Sequence, residues 1–377
     1  MDLSAYRDIA PYRGQDVLDA VERVKQNVDG IVEFLGSVSP VETAQQRAAL
    51  KAKVGYILKA LDEVRTYDDF QRKITAGVFL PQVVENSVDE FTFSGTESLD
   101  KETAYLFVST HRDIVLDCAL IDLALDAADQ MLCEMAIGDN LLTNEFVTDL
   151  FKLNGGVTVK RNLPMRESYL ESIRLSSYLV ELISEVNKSV WIAQKSGRSK
   201  DGKDITNPAV IKMLHLSQRK KGVSFSEVIN KVRIVPVAVS YEKDPCDVIK
   251  AREEVHSSFF GRRKKRLYED LISISRGLKG DKGRIHISFG EPISGEWENS
   301  EQVAREIDRQ IHLTYRLWPT NLWAYDYLNK SSEHASSYAD FDHEAFMARF
   351  EGLKPEVREY VLNAYANPVR SYLAAQA

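Results

Sequence analysis

The stretch AYLFVSTHRDIVLDCALIDLAL, residues 104–125, joins an apolar β-rich run to an apolar helical segment through a short polar turn. Its first seven residues are rich in the aliphatic and aromatic side chains typical of a buried strand. A strand that leads directly into a helix is the building unit of α/β proteins. This stretch therefore predicts an α/β fold, with His111, Arg112 and Asp113 at the exit of a strand.

The same pattern continues along the chain. Five more β-rich runs alternate with amphipathic stretches: QMLCEMAIG, GGVTVKR, SVWIAQ, VRIVPVAVSY and GRIHISFG. Helical periodicity fills the sequence before residue 85 and again after about residue 300. We predict a central mixed β-sheet flanked by helices, with an N-terminal helical layer and a helical C-terminal tail. The expected divisions are an N-terminal helical region (1–85), an α/β domain (86–298) and a C-terminal helical region (299–377).

Composition excludes several classes of protein. The 377 residues are 44% hydrophobic and carry a net charge of −7, so we expect no nucleic-acid partner. Three cysteines without paired spacing predict neither a disulfide framework nor a zinc site, and they fit a reducing compartment. No signal-peptide pattern and no apolar window of ~18 residues is present. We therefore expect a cytoplasmic protein that does not span a membrane.

The tripeptide His111-Arg112-Asp113 also opens the catalytic loop of protein kinases. In kinases an asparagine follows that aspartate five residues later, but here the position is Cys118. The chain also lacks the DFG and APE motifs and a Gly-rich loop followed by a strand lysine. A kinase is therefore excluded, and the histidine needs another explanation.

Two aspartates lie close enough in sequence to orient His111. Asp113 suits the N-cap of the following helix, whereas Asp117 lies in an apolar stretch where a carboxylate needs a partner. A carboxylate on one ring nitrogen would fix the tautomer of a histidine that acts as general base. A histidine that merely ends a strand is the alternative, and either aspartate remains a candidate partner.

Basic residues follow two later strands, at the edge of α/β sheets where ligands bind. Arginine there can donate two parallel hydrogen bonds to a phosphate, which lysine cannot. Solvated basic loops are the alternative. The candidates are Lys160 and Arg161 after GGVTV, and Lys195 and Arg198 after SVWIA.

These strand ends, in this order, resemble the four sequence blocks of the glycerolipid acyltransferase family, which acylates glycerol-3-phosphate or its lyso-derivatives. The matching segments are His111 with Asp117, then residues 156–161, 193–200 and 234–238. WIAQKSGRSK is similar to WIAPSGGRDR of the soluble plastid glycerol-3-phosphate acyltransferases, and the resemblance covers residues 95–295. The chain departs from the family in two places. Five residues separate His111 from Asp117 where the family has four, and Lys195 takes the position of the usual glutamate.

The resemblance implies an O-acyltransferase of phospholipid biosynthesis. It would transfer a fatty acyl group from acyl carrier protein or acyl-CoA to glycerol-3-phosphate or 1-acylglycerol-3-phosphate, without a metal or other cofactor. The implied site residues are His111 with Asp117 or Asp113 for catalysis, Arg161, Lys160, Arg198 and Lys195 for the phosphate, and Val235 and Pro236 for the acyl groove.

Two other functions remain open. One is acyl transfer to another hydroxyl or to an amine, as in aminolipid synthesis, and the other is a non-catalytic homologue that binds lipid or carrier. The basic run GRRKKRLYEDLISISRGLKG, residues 261–280, suits an acidic acyl carrier protein or the anionic inner face of a membrane. A solvated helix start is the alternative for that run.

Overall fold

Seven strands form one sheet in the computed structural model, which describes residues 3–39, 41–261 and 267–377. The spatial order is β1-β7-β6-β2-β5-β3-β4. Strands β2 to β6 run parallel, β7 is antiparallel to β6, and β1 is parallel to β7. The predicted mixed sheet is thus confirmed. The strands are β1 (Glu90–Ser94), β2 (Leu106–Ser109), β3 (Glu134–Gly138), β4 (Gly156–Val159), β5 (Val190–Ala193), β6 (Ile234–Tyr241) and β7 (Arg284–Phe289).

Strand β1 is the one that the sequence did not reveal. Its sequence, EFTFS, is short and polar at both ends, and it lies at the edge of the sheet with none of its residues fully buried. Edge strands carry a weaker hydrophobic pattern because one side of the strand lacks a neighbour. The six predicted strands are all present, as β2 to β7.

Sixteen α-helices surround the sheet in the described residues. The segments Gln71–Phe79 and Leu182–Val186 continue two of them as π-helix. None of these helices is both long enough and apolar enough to cross a bilayer. The helices are α1 (Gln15–Gln26), α2 (Val28–Gly36), α3 (Ala44–Leu61), α4 (Tyr67–Phe70), α5 (Leu80–Ser87), α6 (Leu116–Ala127), α7 (Glu145–Leu153), α8 (Met165–Glu181), α9 (Pro208–Arg219), α10 (Phe225–Val232), α11 (Asp247–Phe260), α12 (Leu267–Lys279), α13 (Ser300–Thr314), α14 (Pro319–Asn329), α15 (His343–Ala348) and α16 (Pro355–Gln376).

Both faces of the sheet are covered by helices. Alternate residues of β2 belong to different cores: Phe107 packs with the N-terminal helices and α6, whereas Leu106 and Val108 pack with α8, α9, α10 and α13. This alternation follows from the two-residue period of a strand. A third core joins α11 to α14, α15 and α16. Helices thus precede and follow the sheet in the predicted order. The division of the chain into regions at residues 85 and 298 stays a prediction.

Arg13, just before α1, joins the N-terminal segment to the sheet. Its guanidinium pairs with Glu134, a fully buried carboxylate at the start of β3 that also accepts hydrogen bonds from Tyr67 and Tyr178. Burial raises the pKa of Glu134, and the positive charge of Arg13 opposes that rise. The N-terminal segment therefore compensates a charge that the sheet buries.

Replacing Arg13 with alanine is expected to destabilise the fold by about 3 kcal/mol, because it leaves a buried carboxylate without its cation. Urea unfolding followed by circular dichroism measures the change. Arg7→Ala is the control, since Arg7 forms an exposed ion pair with Asp16 and its loss should change stability little. Equal effects from the two variants would show that the Arg13–Glu134 pair does not hold the segment.

Candidate active site

The carboxyl ends of the parallel strands meet at one edge of the sheet, and a cavity of about 920 Å³ opens there. His111 follows β2, Arg161 follows β4, and Lys195 and Arg198 follow β5, so chain segments far apart in sequence converge at this edge. The cavity is lined by His111, Ile114, Ala136, Ile137, Gly138, Asn140, Leu141, Arg161, Asn162, Trp191, Ala193, Lys195, Gly197, Arg198 and Asp270. It therefore combines a histidine, three cations and an apolar wall.

His111 is paired with Asp117. Its Nδ1 lies 3.0 Å from Asp117 Oδ2, and the ring is mostly buried, with 15% of the side chain exposed. A carboxylate accepts hydrogen bonds, so Nδ1 carries the proton and the lone pair is on Nε2. The ring also packs edge-on against Trp191, with 5.9 Å between ring centroids. This arrangement leaves Nε2 as the nitrogen that can meet a ligand in the cavity.

Asp117 reaches His111 because the helix starts late. Residues 111–115 form a turn, and α6 begins only at Leu116, so the Asp117 side chain points back along that turn. Its Oδ2 also accepts from the backbone N–H groups of Arg112 (2.6 Å) and Asp113 (2.9 Å), and its Oδ1 accepts from Tyr241 Oη (3.1 Å). The five-residue spacing is thus compatible with a His–Asp pair.

Asp113 has a different environment. Its Oδ1 accepts from the backbone N–H groups of Val115 and Leu116, both at 2.9 Å, as an N-terminal cap does. Its Oδ2 lies against Gly277 of α12, and a Cβ atom on residue 277 would be only 2.0 Å from that oxygen. Burial and the neighbouring charge of Asp117 raise the pKa of Asp113. The structure pairs Asp117 with the histidine and places Asp113 between the turn and α12, outside the cavity lining.

Arg161 supplies an accessible guanidinium to the cavity. The side chain crosses Gly138 at the end of β3, where a Cβ atom would lie 2.4 Å from Arg161 Nε. Arg161 is exposed, and within the described part of the chain no carboxylate pairs with its side chain. An unpaired arginine beside a cavity is suited to bind an anion.

Arg198 approaches the same cavity from the loop after β5. It is 9% exposed, its Nη2 donates to Ser273 Oγ at 3.2 Å, and its buried Nη1 has no hydrogen-bond partner in the described residues. A buried donor without a partner costs free energy, so an anionic ligand at this point would stabilise it. Lys195 is half-buried and lines the cavity beside Arg198.

Lys160 does not join these cations. Its Nζ forms ion pairs with Asp8 at 2.9 Å and with Glu171 at 3.2 Å, and it is not among the cavity-lining residues. Neighbouring positions at a strand end point to opposite sides, so Lys160 and Arg161 diverge. The prediction that Lys160 contacts the phosphate is therefore corrected: this lysine ties the N-terminal segment to α8.

Val235 and Pro236 do not line the cavity either. Strand β6 lies between β2 and β7 and is buried along its whole length, and Val235 packs in the core on the side of α6. The Pro236 carbonyl accepts a hydrogen bond from Gly290, so the ring nitrogen of Pro236 also faces β7. A proline is tolerated there because the β6–β7 ladder begins only at Val237. The prediction of an acyl groove on β6 is corrected. The apolar wall of the cavity comes instead from residues near β3 and β5 and from Ile114.

Comparison with known proteins identifies this part of the chain. A family model described as Acyltransferase matches residues 90–240, which contain β1 to β5, all of β6 but its last residue, and every cavity-lining residue except Asp270. Residues 90–240 form an acyltransferase domain. The predicted class of enzyme is thereby confirmed.

The chain is similar to the crystal structure of the 1-acyl-sn-glycerophosphate (LPA) acyltransferase PlsC from Thermotoga maritima. The TM-score is 0.40 with 12% sequence identity, over 77% of this chain and 94% of that chain. No curated protein matches the sequence.

Several residues that support the acyltransferase site were not predicted from the sequence. Tyr241 ends β6 and holds Asp117, and Lys250 of α11 donates to the backbone carbonyl of Arg112 at 2.6 Å. The Arg112 side chain pairs with Asp204 at 2.5 Å. Tyr241 could have been predicted from the sequence, because it is a polar residue at the carboxyl end of a parallel strand. The partners of Arg112 come from loops whose positions the sequence pattern does not reveal.

Two further expectations concern the surroundings of the acyltransferase domain. The basic residues 262–266 of the run that begins at Gly261 lie outside the described residues, whereas α12 that follows them is described. Among the described residues, no group of three or more histidine, cysteine, aspartate or glutamate side chains is arranged to hold a metal ion.

Proposed function

We propose that this protein is a glycerolipid O-acyltransferase that transfers a fatty acyl group from an acyl-thioester to glycerol-3-phosphate or 1-acylglycerol-3-phosphate. The observation that carries this proposal is that His111, Arg161 and Arg198 line one cavity with an apolar wall. The cations suit the phosphate of the acceptor, and the apolar residues suit an acyl chain. His111 lines the same cavity, where its Nε2 would meet the acceptor hydroxyl.

In the proposed reaction His111 acts as a general base. Its Nε2 takes the proton from the acceptor hydroxyl while the oxygen attacks the thioester carbonyl. The tetrahedral intermediate then breaks its carbon–sulfur bond, and the proton returns from Nε2 to the departing thiolate. The products are an ester and a free thiol, and no acyl-enzyme forms. Asp117 keeps Nδ1 protonated and stabilises the imidazolium.

Acceptor binding would position the hydroxyl rather than activate it. Arg161 and Arg198 would hold the phosphate, with Lys195 beside them. Fixing the anionic end of a small acceptor limits where its hydroxyl can lie, which lowers the entropic cost of reaching the reactive geometry. The donor is an acyl-thioester of CoA or of acyl carrier protein, and it would place its chain along the apolar wall.

The test is to incubate the purified protein with acyl-CoA or acyl carrier protein and a panel of acceptors, and to resolve the products by mass spectrometry. Glycerol-3-phosphate and 1-acylglycerol-3-phosphate are compared with glycerol and with an amino alcohol, and His111→Ala is the control for uncatalysed transfer. Ester formation confined to the phosphorylated acceptors is expected. Equal transfer to glycerol or to the amine would contradict phosphate-directed acylation, and no transfer by the wild type would indicate a binding protein.

Tyr241 is expected to act as a positioning residue in this reaction. Burial and the adjacent Asp117 carboxylate raise the pKa of Tyr241, so its hydroxyl stays protonated and donates to Asp117. Tyr241→Phe removes that donor, and kcat should fall about fivefold to tenfold while the KM values change little. Steady-state kinetics and the thermal midpoint measure the effect. A rise in both KM values with kcat unchanged would mean that the hydroxyl only supports packing.

A further inference from the structure

One peptide group in the histidine turn, residues 111–115, is hydrogen-bonded at both of its ends. Its N–H belongs to Asp113 and donates to Asp117 Oδ2 at 2.9 Å. Its carbonyl belongs to Arg112 and accepts from Lys250 Nζ at 2.6 Å. The carboxylate partner of the histidine and the ammonium of Lys250 therefore hold opposite ends of the same peptide group.

Lys250 is buried almost completely. It lies on α11, after the acyltransferase domain ends at residue 240, and its side chain is 2% exposed. A lysine is seldom buried to this extent unless an anion pairs with it. Asp244 supplies that anion, at 2.5 Å from Lys250 Nζ. Burial acts to raise the pKa of Asp244, but the Lys250 ammonium holds that pKa below its usual value. The pair thus places a compensated positive charge at the histidine turn.

The C-terminal helices fix the position of this pair. The backbone N–H of Asp244 donates to Tyr365 Oη of α16 at 2.9 Å, and the Tyr365 hydroxyl donates to Asp247, the first residue of α11, at 2.9 Å. Arg349, between α15 and α16, donates to Asp247 Oδ2 at 2.7 Å. Residues beyond the acyltransferase domain therefore hold in place the lysine that bonds the histidine turn.

We propose that Lys250 is a positioning residue for acyl transfer, because it fixes the peptide group that directs Asp117 toward His111. Hydrogen bonds through one peptide group polarise each other, so a charged donor on the carbonyl strengthens the bond that the N–H makes. A carboxylate held in this way keeps Oδ2 aligned with His111 Nδ1, 3.0 Å away. Lys250 does not line the cavity, so it acts on the reaction through the histidine turn. The inference rests on the proposed function, since it gives Lys250 a part in the same reaction.

A second buried lysine provides the matched control. Lys152 of α7 is 5% exposed, and its Nζ donates to the backbone carbonyls of residues 8, 9 and 10 at 3.1, 2.8 and 2.7 Å. This lysine has the same type of contact as Lys250, a buried ammonium on main-chain oxygens. Its partners belong to the N-terminal segment and not to the histidine turn. Replacing Lys152 therefore tests the general cost of removing a buried ammonium.

The experiment compares Lys250→Met with Lys152→Met in the full chain. Methionine keeps an unbranched side chain and removes the ammonium. Lys250→Met is expected to lower kcat about tenfold, because the His111–Asp117 pair loses its alignment, while both KM values stay within about twofold of the wild type. Lys152→Met should lower the thermal midpoint and leave kcat near the wild-type value. Steady-state kinetics and thermal unfolding give these measurements.

A charge-balanced variant separates the lost hydrogen bond from the effect of an unpaired carboxylate. Lys250→Met alone leaves Asp244 without its cation, which destabilises the fold. Adding Asp244→Asn removes that charge, and the amide oxygen can still accept from the backbone N–H of Cys246, as Asp244 Oδ1 does at 2.8 Å. The double variant should regain stability and keep the lowered kcat. Recovery of the wild-type kcat in the double variant would overturn the inference.

Nuclear magnetic resonance reports on the histidine pair without turnover. In protein with isotope-labelled histidine, the proton on His111 Nδ1 gives a downfield signal, which is identified by its loss in His111→Ala. Lys250→Met should shift or broaden this signal, and Lys152→Met should leave it in place. An unchanged signal in Lys250→Met, or an equal fall of kcat in the two lysine variants, overturns the inference. A wild type that transfers no acyl group refutes the proposed function, whereas the Nδ1 proton signal still decides whether Lys250 orients the pair.

Discussion

Replacement of His111 by alanine is expected to lower kcat for acyl transfer by about 10²-fold to 10⁴-fold, because it removes the general base of the proposed reaction. The effect should fall on kcat, since the ring contributes little to holding the phosphate. The thermal midpoint should stay nearly unchanged, because Asp117 keeps its two backbone donors and the Tyr241 hydroxyl. Steady-state rates with saturating donor and acceptor give the measurement.

His256→Ala serves as the matched control for His111. His256 is exposed on α11 and packs its ring against Phe260, outside the cavity lining. Activity with soluble substrates should not change in this variant. Retention of most activity by His111→Ala would show that another group takes the proton, and the proposed mechanism would be wrong.

Replacement of Arg161 by alanine is expected to raise KM for glycerol-3-phosphate by about tenfold to a hundredfold, since a charge-assisted hydrogen bond to phosphate is lost. Arg161→Lys should recover only part of this loss, because an ammonium cannot donate two parallel hydrogen bonds. The KM for the acyl donor should stay near its wild-type value. This selectivity separates phosphate recognition from a general disturbance of the site.

Lys160→Ala is the control next in sequence. Lys160 pairs with Asp8 and Glu171, so its removal should leave KM for glycerol-3-phosphate unchanged and affect stability alone. The two variants together test whether the adjacent side chains of Lys160 and Arg161 have different partners, with only Arg161 at the cavity. If Lys160→Ala raised this KM as much as Arg161→Ala does, the assignment of the phosphate site would fail.

The sequence was sufficient to place the main site residues at one edge of the sheet. His111, Arg161 and Arg198 each follow an apolar run, and the carboxyl ends of parallel strands share an edge. Their convergence on one cavity therefore follows from a simple rule of topology. The edge strand β1 was not predicted, because its polar, half-exposed sequence lacks the apolar run on which the prediction of a strand depends.

The details that the sequence did not predict depend on contacts between distant segments. The partner of His111 is decided by where α6 begins, and a side chain of β6, Tyr241, helps to hold it. An ion pair with Asp8, which is 152 positions earlier in the chain, holds Lys160 away from the cavity. Pro236 was assigned to the acyl groove from the family resemblance, and the order of strands in the sheet, which places β6 between β2 and β7, cannot be read from the sequence pattern.

The most direct test of the central claim is a crystal structure of the protein with glycerol-3-phosphate bound and no acyl donor. The account predicts that the phosphate contacts the guanidinium groups of Arg161 and Arg198. One hydroxyl should then lie within about 3.2 Å of His111 Nε2. A phosphate bound elsewhere, or an acceptor whose hydroxyls all lie beyond hydrogen-bond reach of His111 while the His111–Asp117 pair is intact, would contradict it.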